Sequence, residues 1–349
     1  MRTIDKLIYH PRLANAAYRL RQHLQTTRSV VTDFRNLLKR PYHDPRVVQQ
    51  DMSCSQLYLG TTNICNARCV FCIYKNHEGP RGVMTYEIAR KAMDEYKDMG
   101  GRLICFSPTL GEPLLDPGLM EKIRYAVQLP RMGAYIFTNG SLLTKDDAYK
   151  QLVDSGIRHI TISMGETDRA RYAEGYGVDL YPQVIDGVHR LMQYNKERGE
   201  KTKVTIAFRS TTAPASVVQS PDFKQYIKPF LSDRVDFNFM QNYDNWGGAI
   251  RPKDLRGIMQ LRRIPRVKKH MCLRTLDLLV LYEGSVRLCG CRCKETEFDD
   301  LVVGNIQQDS LKNLYWGPKA QEIRDSFAQN QLREVCKDCS LYMPSWILK

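Results

Sequence analysis

The chain has 349 residues, 43% hydrophobic and 26% charged, with 52 Lys and Arg against 38 Asp and Glu for a net charge of +14. That length suits one large domain with an appendage, and the composition excludes wholesale disorder, a collagen-like repeat and a disulfide-stapled miniprotein. No uninterrupted apolar run reaches about 18 residues, so no membrane-spanning helix is expected.

The charge is local. Residues 1–50 carry ten Lys/Arg against three Asp, and residues 251–270 carry eight against one, so each segment holds +7 and the other 279 residues sum to zero. Without a nucleic-acid-reading motif, two such segments fit an anionic substrate, an acidic partner, a membrane surface or simply a solvated face, and no nucleic acid is expected. Charges interrupt residues 1–23 every few positions, so no signal-peptide apolar region is read there and a cytoplasmic location is expected.

Residues 11–40 read as a helix. Leu13, Ala16, Ala17, Leu20 and Leu24 recur at three- and four-residue steps, Val30, Val31, Phe34, Leu37 and Leu38 continue them, and Pro11 and Pro41 suit its start and stop. Its apolar positions are expected to pack against the chain's own domain. From residue 56 strands and helices alternate: QLYLGTT, RLICFSPT, MGAYIFTNG, RHITISMG, KVTIAFRST and RVDFNFMQNY are six strand candidates, separated by amphipathic helices that include PDFKQYIKPFL at 221–231. Such alternation predicts an α/β chain with a parallel sheet, here a partial (β/α)6 TIM-like barrel, whose sites gather at the C-terminal ends of its strands. The pattern fades near Trp246-Gly247-Gly248. The expected organisation is a basic helical extension (1–50), a core (51–255) and a small α+β C-terminal Cys-rich domain (256–349).

Eleven cysteines in a cytoplasmic chain point to metal or redox chemistry rather than disulfides. Cys65, Cys69 and Cys72 fall in the loop after the first strand. Three thiolates there can hold a cubane iron–sulfur cluster and leave one iron open, while zinc with His77 as fourth ligand is the competing reading.

This spacing at this place resembles the hallmark of the radical S-adenosylmethionine (SAM) superfamily, with Phe71 as the aromatic residue before the last Cys. The resemblance implies that a [4Fe-4S] cluster chelates SAM at its open iron. Reductive cleavage of SAM then gives a 5′-deoxyadenosyl radical, with an electron donor such as flavodoxin or ferredoxin. It also implies that Gly111, Glu112 and Pro113 meet the SAM amine, that Asn139 in Thr138-Asn139-Gly140 lies near the ribose, that Ser163 contacts SAM, and that Arg171 binds its carboxylate. Ser107-Pro108-Thr109-Leu110 departs from the second glycine that many relatives place before Gly-Glu-Pro.

Near the C-terminus, DLLVLYEGSVRLCG reads as a hairpin turned at Gly284 that brings Cys272 towards Cys289, and Cys336-x2-Cys339 follows. These features resemble the SPASM or Twitch extension, which implies a second, auxiliary [4Fe-4S] cluster ligated by Cys272, Cys289, Cys336 and Cys339. Cys291 or Cys293 is an alternative to Cys289, and structural zinc is the competing occupant.

The expected activity is hydrogen abstraction for oxidation or epimerisation of a small sugar-like or anionic metabolite, with Arg262, Arg263, Lys268 and Lys269 as phosphate contacts. Cys105, Cys291 and Cys293 are candidate hydrogen-donor thiols, and Cys105 also reads as a small buried hydrophobe. A peptide substrate and, in another class, a non-catalytic zinc-binding interaction protein are the alternatives.

Overall fold

A computed structural model describes residues 13–39, 56–107, 109–210, 212–290 and 299–345; Pro11, Pro41, Pro108, Cys291 and Cys293 lie outside the described residues. Helix α1 (Ala14–Leu38) precedes strand β1 (Leu57–Leu59). The alternation read in the sequence follows: α2 (Tyr86–Asp98), β2 (Leu103–Cys105), α3 (Leu119–Gln128), β3 (Gly133–Thr138), α4 (Ala148–Asp154), β4 (His159–Ser163), α5 (Arg169–Tyr176), α6 (Tyr181–Glu197), β5 (Lys203–Phe208), α7 (Pro214–Gln219) and β6 (Val235–Phe239). Helix α2 is typical of how these elements arise. The Thr85 side chain accepts from the Ile88 N–H at 3.3 Å to cap it, and Ile88, Ala89, Ala92, Met93 and Tyr96 form one buried face. The helix expected over 221–231 is instead a π turn (Phe223–Ile227) and a 3-10 turn (Lys228–Phe230), because Pro229 has no N–H to continue the ladder.

Strands β1 to β6 pair in sequence order and in parallel, giving a partial barrel of six β/α units. Register sorts the two faces. Ile136, Ile160, Val204 and Val235 form one apolar row, whereas Phe137, Thr161, Thr205 and Asp236 form the next row, on the opposite face. The apolar rows suit helix packing, and the mixed rows line the inside, where His159 Nε2 meets Thr205 Oγ1 at 2.9 Å.

After β6 come a two-strand pair, β7 (Asn242–Tyr243) with β8 (Gln260–Leu261), then β9 (Leu278–Val280), β10 (Ser285–Leu288), β11 (Val302–Asn305), α8 (Leu311–Trp316), α9 (Pro318–Asp325) and α10 (Glu334–Lys337). The β9–β10 hairpin turns at Gly284, whose φ of +94° is left-handed and whose added Cβ would lie 2.9 Å from Asn305 Oδ1. Strand β9 pairs in parallel with β1, so one nine-strand sheet runs from β11 to β6. The C-terminal strands thus extend the barrel sheet and fix the cysteines beside them relative to β1.

Helix α1 packs on the rest of the chain and keeps Ala17 buried, but most of its apolar positions face the other way from the one expected. Asn36 Nδ2 donates to the Val267 carbonyl (3.0 Å), Asp33 pairs with Arg263 (2.6 Å), and Asn15 Oδ1 accepts from the Ala215 N–H (3.1 Å). These polar contacts, joined by buried Tyr18, anchor the helix, so Leu20, Leu24, Val31, Phe34 and Leu38 face outward. Periodicity finds the stripe but cannot say which side the protein takes.

The connection from β2 to α3 is held by a buried ion pair: Lys122 Nζ lies 2.6 Å from Asp116 Oδ2, and both side chains are at most 2% exposed. Asp116 Oδ1 also accepts from the Gly118 N–H at 2.8 Å. Lys122→Met should lower the unfolding free energy by about 3–5 kcal/mol, since it strands the partner charge in the interior. Urea unfolding checks this, and a loss below about 1 kcal/mol would place the pair in the range of surface bridges.

Candidate active site

The loop after β1 carries Cys65, Cys69 and Cys72 and is tied on three sides. Arg68 N and Val70 N donate to the Tyr176 and Gly175 carbonyls of α5 at 2.9 and 3.0 Å. The Tyr74 hydroxyl accepts from the Cys65 N–H at 3.0 Å, and the Trp246 indole N–H donates to the Phe71 carbonyl at 2.9 Å. Phe71 stands edge-on to Tyr176 and Tyr243, each 5.5 Å away. Backbone and aromatic contacts thus fix where the three thiols sit.

All three line one cavity of about 330 Å³ at the C-terminal ends of the strands. Gly111, Glu112, Thr138, Asn139 and Ser163 line it as well, together with Arg209, Tyr243 and Trp246. Among the described residues, no three His, Cys, Asp or Glu side chains are set to grip a single ion. The three thiols share one cavity, which suits donors to a polynuclear cluster. His77 instead sits against Asn63, with its Nε2 3.3 Å from Nδ2, and is not part of the cavity.

Burial, helped by the nearby Glu112 carboxylate, pushes the Cys65 thiol up to about 12; burial with the neighbouring thiols of Cys72 and Cys65 also raises Cys69 well above the usual thiol range. Such groups become thiolates at neutral pH only beside a compensating metal charge, so an iron–sulfur cluster fits this donor set.

The Gly111-Glu112-Pro113 segment is shaped by contact with this loop. Gly111 has φ +104°, and a Cβ there would lie 2.4 Å from the Thr62 carbonyl oxygen. The Glu112 N–H donates to the Ile64 carbonyl at 2.8 Å. Its carboxylate accepts from Thr138 Oγ1 (2.6 Å), the Asn139 N–H (2.7 Å) and the Leu114 N–H (3.2 Å), which braces the loop after β2 against the loop after β3. Asn139 continues the brace, donating from Nδ2 to Asn66 Oδ1 at 2.8 Å.

Burial raises the Glu112 carboxyl to about 7, against hydrogen bonds that pull it down. A carboxyl with a raised folded-state pKa binds its proton more tightly when folded. Its contribution to stability therefore falls as pH rises from its unfolded value, about 4.5, through about 7. The stability of apo Glu112→Gln relative to apo wild type should accordingly rise from pH 5 to pH 8, by roughly 2.5 kcal/mol. A pH-independent difference in chemical denaturation would contradict this.

Three sequence candidates lie elsewhere. Pro113 is buried behind the cavity wall, in the turn after Glu112. Arg171 is outside the cavity lining and donates to Thr212 Oγ1 at 2.7 Å. Cys105 is fully buried in register with Tyr58 and Tyr135, also outside the lining, and burial pushes its thiol up to about 11. Conversely, sequence reasoning passed over Arg209. It follows β5, lines the cavity, and lies 5.7 Å from the Phe71 ring and 5.3 Å from the Tyr243 ring. Its position just past a strand end was the available signal.

Cys272, Cys289, Cys336 and Cys339 line a second, smaller cavity with Leu301, Phe327, Val335 and Tyr342. Burial raises the Cys272 thiol to about 12 and that of Cys339 to about 11, with Cys289 adding to each. An all-cysteine set with apolar walls fits a fully ligated cluster. Cys289 has a left-handed φ of +67°, rare outside glycine, and Arg287 holds its carbonyl while pairing with Asp299 through two contacts of 2.8 and 2.6 Å. Lys268 is nearly buried and donates to the carbonyls of Cys336 (2.9 Å), Lys337 (2.7 Å) and Cys339 (3.0 Å), so it holds the CxxC loop. Lys269 donates to the Leu37 carbonyl and Arg263 is paired with Asp33. Arg262 Nε donates to the Asn242 carbonyl at 3.3 Å, and none of the four cations expected as phosphate contacts lines the active cavity.

The Trp246-Gly247-Gly248 segment joins the two sites. Its indole holds Phe71, a Cβ on Gly247 would lie 2.7 Å from Val335, and Asn245 Nδ2 donates to the Asp338 carbonyl at 2.7 Å. Gly290, next to Cys289, completes the lining of the first cavity.

Residues 59–209 match the family model described as the radical SAM superfamily, and residues 272–340 match SPASM, an iron–sulfur cluster-binding domain. A tungsten-containing aldehyde ferredoxin oxidoreductase cofactor-modifying protein from Pyrococcus furiosus is 28% identical over 82% of this chain and 87% of its own. A probable GTP 3′,8-cyclase from Saccharolobus islandicus is 33% identical over 38% of this chain, which spans only 42% of that relative. Two solved structures share the fold: BtrN in complex with AdoMet and 2-DOIA (TM-score 0.52, 18% identity, 82% of this chain and 92% of that one) and Streptococcus suis SuiB bound to precursor peptide SuiA (0.57, 14%, 94% and 77%). These matches set aside the non-catalytic zinc protein.

Proposed function

Because this chain belongs to the radical SAM superfamily and carries a SPASM domain, we propose that it oxidises or epimerises a small anionic, sugar-like metabolite in the cytoplasm. The bound [4Fe-4S] cluster and SAM supply reductive cleavage of the sulfonium and, from it, hydrogen abstraction. In this reading Cys65, Cys69 and Cys72 hold the cluster that meets SAM, and Cys272, Cys289, Cys336 and Cys339 hold the auxiliary one. Gly111, Glu112, Asn139 and Ser163 form the wall against which SAM is oriented. A division into core and cluster domain near residue 255 belongs to the same proposal.

The observation that carries the substrate class is the cavity wall. Arg209 is the one Lys or Arg among its described lining residues, fixed between two rings, and Tyr58, Ser107, Thr109 and Tyr243 add hydroxyl groups. A cation and several hydroxyls recognise a polyhydroxylated anion through charge-assisted hydrogen bonds.

A second reading, modification of another enzyme's cofactor, is favoured by the Pyrococcus furiosus relative, whose match covers most of both chains. A peptide substrate is the remaining competitor, with SuiB as its fold-level analogue. The test is label transfer. Reduced holoprotein with SAM and a deuterated anionic sugar or cofactor should yield deuterated 5′-deoxyadenosine, and Arg209→Gln should raise the substrate concentration needed. Label arriving only from peptides would overturn the small-molecule reading.

A further inference from the structure

The two basic segments of the sequence meet in the fold. Helix α1 docks on residues 263–270 through Asp33–Arg263, Asn36–Val267 and Lys269–Leu37. Docking thus fixes α1, which carries four arginines and a single acid, with its other side towards solvent.

On that face, α1 turns its apolar side out. Leu20, Leu24, Val31, Phe34 and Leu38 share one stripe, with Phe34 61% and Leu38 70% exposed, and Val30 and Leu37 widen it. Arg21, Arg28 and Arg35 run along one flank at seven-residue steps. The single acid of the helix, Asp33, faces inward.

Two features choose the occupant. The three arginines would repeat along the seam of any pairing with a second copy, and the opposite flank, His23, Val30 and Leu37, offers no acid to meet them. An apolar stripe about 140° wide beside a row of guanidinium groups matches a surface that is apolar below and anionic above. We propose that the outward side of α1 forms a membrane-association face, on which the chain sits at an anionic lipid bilayer. The stripe enters the acyl boundary and Arg28, Arg35 and their neighbours meet lipid phosphates. No described helix is long and apolar enough to cross a membrane, so the attachment is peripheral.

Co-sedimentation of the reconstituted full chain with vesicles tests this, using pure phosphatidylcholine and a 3:1 mixture with phosphatidylglycerol. Binding should be at least about tenfold stronger to the anionic vesicles and weaken with salt. Arg28→Gln with Arg35→Gln, and separately Leu24→Ser with Val31→Ser and Phe34→Ser, should each cost about tenfold or more while iron content and melting temperature stay at wild-type values. The substituted side chains are exposed, so folding is not at stake. Equal or absent binding to both vesicle types, or unchanged binding by the stripe variant, would overturn the proposal. So would a wild-type dimer in light scattering that the stripe variant dissociates.

Discussion

Cys69→Ala should give a folded chain that holds about four irons instead of about eight after anaerobic reconstitution and forms no 5′-deoxyadenosine. Cys69 is one of three thiols on the wall of the first cavity, and neither His77, which meets Asn63, nor Cys105, outside the lining, is placed to replace it. Cys339→Ala should give the reciprocal result, about four irons with SAM cleavage retained, because its thiol lines the other cavity. Iron analysis with product chromatography separates the two. Equal loss of iron and of SAM cleavage in both variants would mean that the cavities do not load independently.

Gly111→Ala should abolish SAM cleavage and lower unfolding stability by about 2 kcal/mol or more. Its new Cβ would meet backbone, 2.4 Å from the Thr62 carbonyl and 3.0 Å from Asn63 Cα, so no flexible side chain can move aside. The loop must shift, taking with it the bond from the Glu112 N–H to the Ile64 carbonyl and hence the setting of Cys65. Gly100→Ala is the control. It also has a left-handed φ, +88°, but nothing lies within 4 Å, so only backbone strain of about 1 kcal/mol is expected and SAM cleavage should persist. Equal behaviour of the two variants would remove close approach as the reason for glycine at 111.

Much of this was legible before folding. Strand and helix periods located all six barrel strands, since each buries an apolar row and each intervening helix a stripe. The cysteine spacing located the first site, because a loop of eight residues brings three thiols together almost regardless of its details. Partners were not legible. Lys268, Lys269 and Arg263 look like anion contacts in a charge count, yet three carbonyls, a helix end and Asp33 occupy them. Trp246-Gly247-Gly248 looked like a fading pattern. It is the joint between the cysteine sites, and its meaning lies in residues about 90 and 175 positions away. Helix α1 was found with its correct stripe and the wrong side inward, because polar anchoring by Asn15, Asp33 and Asn36 has no period.

The most direct measurement is product analysis of the reconstituted, chemically reduced wild-type chain incubated with SAM. Methionine and 5′-deoxyadenosine in equal amounts are predicted. A fully loaded, reduced protein that returns SAM intact, whatever candidate substrate is added, would contradict the site built by Cys65, Cys69 and Cys72.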